Sequence, residues 1–157
     1  VFLEQKKTGV LSLTHKEMTR FNITLEEGVN FVIKCIKMMH GGEIFVPKIP
    51  SCKVIDIARA IAPKAKYNFI GIRPGEKIHE AMITESDSVN TIEFDKYYSI
   101  IPSNQFLDIK KQKLFLKSGK KCKIGFSYNS LINKHYLSVR QIRELILKNI
   151  PESKYIL

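Results

Sequence analysis

The chain has no tryptophan and only three cysteines, Cys35, Cys52 and Cys122. None takes a C-x-x-C spacing, and three cannot all pair. A disulfide framework and a zinc ribbon are thereby set aside, and a reducing, cytoplasmic setting is expected. No apolar run approaches the ~20 residues of a membrane-spanning helix, so no membrane partner is expected. Acids are scarce: 15 Asp and Glu stand against 26 Lys and Arg, a formal net charge of +11. The eight glycines, at 9, 28, 41, 42, 71, 75, 119 and 125, never take the G-x-G-x-x-G spacing. A dinucleotide fingerprint and a Walker loop are both absent from these 157 residues. His79-Glu80 starts like a zinc-protease H-E-x-x-H, but Ile83 stands where the second histidine belongs, and no metal site is expected. No tyrosine is followed by a lysine four positions later, so no Tyr-x-x-x-Lys catalytic pair is present.

What is present describes a folded chain. Its hydrophobic share is 44% and its aromatic share 10%, which excludes disorder as the main reading. The length suits one domain or a piece of a larger one. The chain begins at Val1, and residues 1–20 are expected to be the interior of something longer. Positive charge gathers between Lys110 and Lys123, a stretch of seven lysines without an acid. A lysine-rich face usually serves solubility. No nucleic-acid motif accompanies it, and nucleic acid is not an expected partner.

The hydrophobic spacing alternates strands and helices. Val10 to Leu13 is a strand candidate. Thr24 with Glu27 forms a capping box before an apolar stripe of Leu25, Val29, Val32, Ile36 and Met39, which ends at Gly41-Gly42. Glu43 to Val46 is a strand ended by Pro47. A second helix carries Val54, Ile57, Ala58 and Ile61 and stops at Pro63. Tyr67 to Ile72 is a β-rich run, Pro74-Gly75 a turn, and Glu76 to Ile83 is expected as a short helix. Tyr97 to Ile101 is a further strand. Ser138 with Gln141 caps a last helix over 138–150, with Val139, Ile142, Leu145 or Ile146, and Ile150 expected inward. This order argues an α/β unit.

The sharpest chemical feature runs from Ile70 to Glu80. A β-run exits into Arg73, turns on Pro74-Gly75 and meets Glu76. Ligands in α/β folds bind at the carboxyl ends of strands. Arg73 offers a planar fork for two phosphate oxygens, and Glu76 an acceptor for two neighbouring hydroxyls such as those of a ribose. An Arg–Glu pair that merely pins the turn is the other reading.

Several long motifs occur in one order: Met18-Thr19-Arg20-Phe21, Gly28-Val29, Phe31-Val32, His40 through Ser51, and Gly71 through Glu80. Together they resemble the CapD/CapE-type nucleotide-sugar epimerases and 4,6-dehydratases of bacterial polysaccharide biosynthesis, which are extended short-chain dehydrogenase/reductases. The resemblance is strongest up to residue 102. Tyr128-Asn129-Ser130, Asn133, Leu137 and Ser138 through Leu145 extend it more weakly. It implies a small α/β C-terminal substrate-binding domain of such an enzyme, with the N-terminal Rossmann domain absent. Residues 1–102 would form the nucleotide-sugar-binding domain, and 103–157 a basic extension ending in helix 138–150.

By the same resemblance, Arg73 meets the diphosphate, Glu76 contacts the nucleoside, and Arg20 is a further phosphate contact; no catalytic residue is expected. Lys48 and Lys77 fall in matching motifs without an expected contact. Asn22 stands where relatives often have Trp. The expected ligand is a UDP-sugar. The expected partners are the missing Rossmann domain or a companion chain, and further copies of the chain in a homo-oligomer. NAD(P) belongs to the full-length enzyme, with no cofactor bound by this segment. Two other readings stay open: an inactive remnant of a split gene, and a basic polyanion-binding module.

Overall fold

The computed structural model describes residues 1–102, 117–151 and 153. Of the basic stretch, Lys110, Lys111 and Lys113 lie outside the described residues. In chain order the elements are α1 (Phe2–Gln5), β1 (Val10–Leu13), β2 (Thr19–Phe21), α2 (Leu25–Met38), β3 (Ile44–Pro47), β4 (Ser51–Lys53), α3 (Val54–Ile61), β5 (Lys66–Phe69), β6 (Ala81–Ile83), β7 (Thr91–Glu93), β8 (Tyr97–Ile100), β9 (Lys120–Lys121), β10 (Tyr128–Asn129) and α4 (Val139–Asn149). They form two compact units, each assembled from separate stretches of chain. One comprises Val1–Asn22, Pro50–Glu80 and Ser130–Leu157; the other comprises Ile23–Ile49 and Ala81–Asn129. The fold class is mixed α/β, as the alternation predicts.

In the first unit β1 pairs in parallel with β5, from Val10 opposite Lys66 to Leu13 opposite Phe69. The period-2 pattern of β1 buries Leu11 and Leu13 against Ala58, Ile61 and Ala62 of α3 and its end. The other side of α3 places Ala60 in a cluster with Cys52, Leu137 and Ile142 of α4. Helix α3 therefore needs small residues on both flanks, which Ala58 and Ala60 supply. The α4 capping box forms as predicted, with Ser138 Oγ accepting the Gln141 N–H at 3.3 Å and Gln141 Oε1 accepting the Ser138 N–H at 2.9 Å. Ile142 is buried as expected, while Val139 and Ile150, at the two ends of the helix, remain more than a third exposed.

Antiparallel strands β2 and β4 pair from Thr19 opposite Lys53 to Phe21 opposite Ser51. Ser51 also bridges in parallel to Tyr136, which brings the segment 133–137 alongside β4. Strand β4 was not expected. It is three residues long and runs straight into α3 at Lys53, too short to show a period of its own.

The helix expected over Glu76 to Ile83 does not form. Gly75, at φ +78°, completes the turn after Pro74, and residues 76–80 continue without helical hydrogen bonds. Their backbone is claimed by other segments: the Ile78 carbonyl accepts the Thr19 N–H, and the Glu80 N–H donates to Ser130 Oγ. Ala81–Ile83 is instead β6, paired with β10. Strand β5 ends at Phe69, three residues short of the expected run, and Gly71 at φ +83° turns the chain away.

The second unit holds the antiparallel sheet β3-β8-β7-β9. Tyr97 of β8 is its aromatic hub. Its ring stacks on Phe94 at 4.6 Å and meets Phe45 and Phe31 at 5.8 and 6.3 Å. Helix α2 has the expected capping box at Thr24 and turns Phe31, Cys35 and Met38 to the half-buried side. The stripe of Leu25, Val29, Val32, Ile36 and Met39 faces away, with exposures from 49% at Val29 to 85% at Leu25. Among the described residues nothing covers it.

Candidate functional site

Strand β2 and the loop that follows β5 bring Arg20, Glu76 and Glu80 together. Arg20 projects from the middle of β2. Its Nη1 donates to the Thr19 carbonyl at 2.8 Å and to the Ile78 carbonyl at 3.1 Å. Its Nε lies 3.3 Å from Glu80 Oε1, and its Nη2 lies 3.8 Å from Glu76 Oε1. A guanidinium carries five N–H donors in a fixed plane. Nη1 is spent on the backbone, Nε faces one carboxylate, and Nη2 has an ion-pair neighbour beyond hydrogen-bond length. Nη2 is the edge that remains for an incoming anion.

Glu76 is held from both sides. Its Oε2 accepts the backbone N–H of Arg73 at 3.2 Å, and the Glu76 N–H donates to the Arg73 carbonyl at 3.0 Å. This closes the Arg73-Pro74-Gly75-Glu76 turn on itself. The Arg73 side chain is exposed, and its guanidinium has no ion pair among the described residues. The expected alternative, an Arg73–Glu76 side-chain pair pinning the turn, is thus not what forms. The turn is pinned by backbone-to-carboxylate bonding, and the ion pair of Glu76 goes to Arg20.

Behind these residues lies a row of buried hydroxyls. Thr19 Oγ1 is 2.8 Å from His79 Nδ1 and 2.7 Å from Ser130 Oγ. The Tyr136 hydroxyl donates to the Ser130 carbonyl, and Asn133 Nδ2 donates to Ser51 Oγ at 2.9 Å. Burial raises the Tyr136 hydroxyl above its ordinary pKa, with Thr19 pulling it partly back. Cys52, opposite Arg20 in the β2–β4 pair, is pushed up to about 11 by burial and by Asp56, with Arg20 opposing. It is therefore a protonated, inert thiol at neutral pH.

The structure thus groups two of the three predicted residues, Arg20 and Glu76, and places Arg73 at the other end of the same turn. Lys48 is committed elsewhere, with Nζ 2.7 Å from Glu93 and over the Tyr98 ring at 4.8 Å. Lys77 is exposed. Thr19, His79, Glu80 and Ser130 carry no assigned role in the sequence reading. All four lie inside the quoted motifs, Ser130 in the weaker one, but nothing in spacing alone links position 130 to position 19.

A family model described as "Polysaccharide biosynthesis protein" matches residues 1–102. The chain is 48% identical over 141 residues to a UDP-N-acetylglucosamine 4,6-dehydratase (inverting) of Campylobacter jejuni subsp. jejuni serotype O:2, covering 87% of the chain and 42% of that protein. It is 32% identical over 152 residues to a UDP-glucose 4-epimerase of Rickettsia canadensis, covering 94% of the chain and 44% of that protein. The solved structure of Pen from Bacillus thuringiensis superposes with a TM-score of 0.76 at 26% identity, over 99% of the chain and 45% of Pen. The chain belongs to this polysaccharide biosynthesis family. The likeness to CapD/CapE-type proteins drawn from the motifs is borne out. The chain spans less than half the length of the curated relatives it matches.

Proposed function

We propose that this chain is the part of a nucleotide-sugar 4,6-dehydratase that grips the nucleoside diphosphate of UDP-N-acetylglucosamine. The observation that carries this reading is the identity of 48% to the Campylobacter dehydratase, against 32% to the Rickettsia epimerase, over comparable stretches of chain. The turn at 73–76 supports it. On one turn stand an exposed guanidinium with no ion pair among the described residues and a carboxylate already oriented by a backbone N–H. Arg73 would meet the diphosphate, Glu76 the ribose hydroxyls, and Nη2 of Arg20 a further phosphate oxygen.

The diphosphate is remote from the sugar carbons that react. Its binding energy serves the reaction by holding the sugar in place. NAD(P), which would accept and return hydride, is not suited to these residues. Among the described residues the three strand-to-helix junctions, β2 to α2 through Asn22–Thr24, β4 to α3 at Lys53 and β10 to α4 through 130–138, lack the glycine that lets a backbone approach a pyrophosphate. The reading assigns that cofactor to residues outside this chain.

The test is calorimetric titration with UDP-N-acetylglucosamine, UDP and N-acetylglucosamine in parallel. UDP should retain most of the affinity of the intact sugar nucleotide, and the free sugar should not bind measurably. Binding of the free sugar with none by UDP would overturn the assignment. For the whole protein, loss of water from UDP-N-acetylglucosamine supports the dehydratase reading. Inversion at C4 without water loss supports the epimerase.

A further inference from the structure

Ser130 is a fully buried serine that joins three separate stretches of chain. Its Oγ accepts the Glu80 N–H at 2.9 Å, and its own N–H donates to the Glu80 carbonyl at 2.8 Å. This reciprocal pair clasps the end of the 73–80 loop from a residue 50 positions away. The same Oγ meets Thr19 Oγ1 on β2, and Thr19 Oγ1 meets His79 Nδ1 on the loop. Ser130 is held in turn by Tyr136 through its carbonyl, and Asn133 ties the segment to Ser51 of β4.

One donor direction satisfies every group. Glu80 N–H donates to Ser130, the Ser130 hydroxyl to Thr19, and the Thr19 hydroxyl to Nδ1 of His79. A buried network in which each member has a partner specifies one arrangement, and removing a member strands the others. The loop it anchors has neither helix nor strand across 70–80, yet it carries Arg73 and Glu76. Two side chains on an irregular loop bind well only when that loop is ordered beforehand.

We propose that Thr19, Ser130 and His79 form a positioning relay. It holds the 73–80 loop against β2 in the conformation that presents Arg73 and Glu76 to a nucleoside diphosphate. The relay rests on the UDP-sugar reading above, and none of its members touches the ligand. Its physical content is that the segment 130–136, far along the chain, sets the geometry of a site whose ligand groups all lie before residue 80.

Two substitutions separate this role from bulk stability. Thr19→Val keeps the shape and removes the hydroxyl; Thr19→Ser keeps the hydroxyl. The readouts are UDP-N-acetylglucosamine affinity by calorimetry, amide exchange of the segment 76–80, and thermal unfolding. The relay predicts that Thr19→Val stays folded, exchanges faster at Glu80 and binds about tenfold more weakly. Thr19→Ser stays within about twofold of the parent on both readouts. A folded Thr19→Val with parental affinity and parental exchange overturns the relay, and so does a Thr19→Ser that fails as badly. Should Thr19→Val not fold, His79→Ala carries the same readouts. Arg73→Ala is run beside them. If it binds as the parent does, the nucleotide reading fails, and the relay is then decided by the exchange at Glu80 alone.

Discussion

Arg20 Nε stands 3.3 Å from Glu80 Oε1, while Nη1 of the same guanidinium caps the Ile78 carbonyl. One side chain on β2 thus fastens two points of the loop that carries Arg73 and Glu76. The planar fork matters here, because a single ammonium cannot reach two backbone carbonyls and two carboxylates at once.

Arg20→Lys should therefore behave as a loss, although it keeps the charge. Without the Nη1 bonds the 76–80 segment loosens, and stability should fall by about 1–2 kcal/mol, the scale of one or two hydrogen bonds. Chemical denaturation measures it. Full stability in Arg20→Lys would show that charge alone is what Arg20 supplies.

The Cys52 thiol gives a pH signature. Its pKa rises from an ordinary 9.0 to about 11 in the folded chain. The fold favours the protonated thiol, so its contribution is complete below 9.0 and is lost as the pH rises toward 11. Cys52→Ala or Cys52→Ser should flatten the decline of stability across that interval. Thiol reagents at neutral pH should leave Cys52, which is 1% exposed, unmodified until the chain unfolds. Fast labelling of Cys52 in the native chain would contradict this.

Asp87 gives a signature of opposite sign. Its carboxylate accepts the Thr84 N–H at 2.9 Å and the Thr84 hydroxyl at 2.6 Å, which lowers its pKa. The folded state favours the ionised form, so the contribution is present above the ordinary value of 3.8 and is lost as the pH falls below it. Asp87→Asn should reduce the acid sensitivity of unfolding, measured by circular dichroism between pH 2 and 5. An unchanged acid midpoint would count against the bond.

The exposed stripe of α2 predicts an asymmetry along one helix. Ile36→Lys, on a position 64% exposed, should change stability by less than about 0.5 kcal/mol and raise solubility. Phe31→Ala, which removes a ring packed near Tyr97, should cost about 1–3 kcal/mol. Thermal unfolding and static light scattering check both. A large loss from Ile36→Lys would mean the stripe is packed in solution.

Much of this fold was legible where local chemistry acts alone. Both capping boxes, at Thr24 and Ser138, formed as the S/T-x-x-E/Q pattern requires, because a cap is satisfied within four residues. The strand at Val10–Leu13 and the helix stop before Pro63 were equally local. The segment after Gly75 was not legible. Glu76 to Ile83 has helix-compatible residues, but the Ile78 carbonyl and the Glu80 N–H are taken by Thr19 and Ser130. Tertiary partners overrode propensity there. The α2 periodicity named an apolar stripe, but spacing does not say what covers it. At the site, Arg73 and Glu76 were singled out by the strand exit and the turn that follows, and Arg20 by motif likeness alone. Thr19 and Ser130 stood inside quoted motifs without a role, since a contact across 111 residues leaves no local mark.

The most direct measurement is the affinity of the protein for UDP-N-acetylglucosamine beside its Arg73→Ala and Glu76→Ala variants, by calorimetry at fixed ionic strength. The account predicts that both variants bind at least about tenfold more weakly, Arg73→Ala while unfolding at the parental temperature and Glu76→Ala while remaining folded. Equal affinity in all three proteins would contradict it.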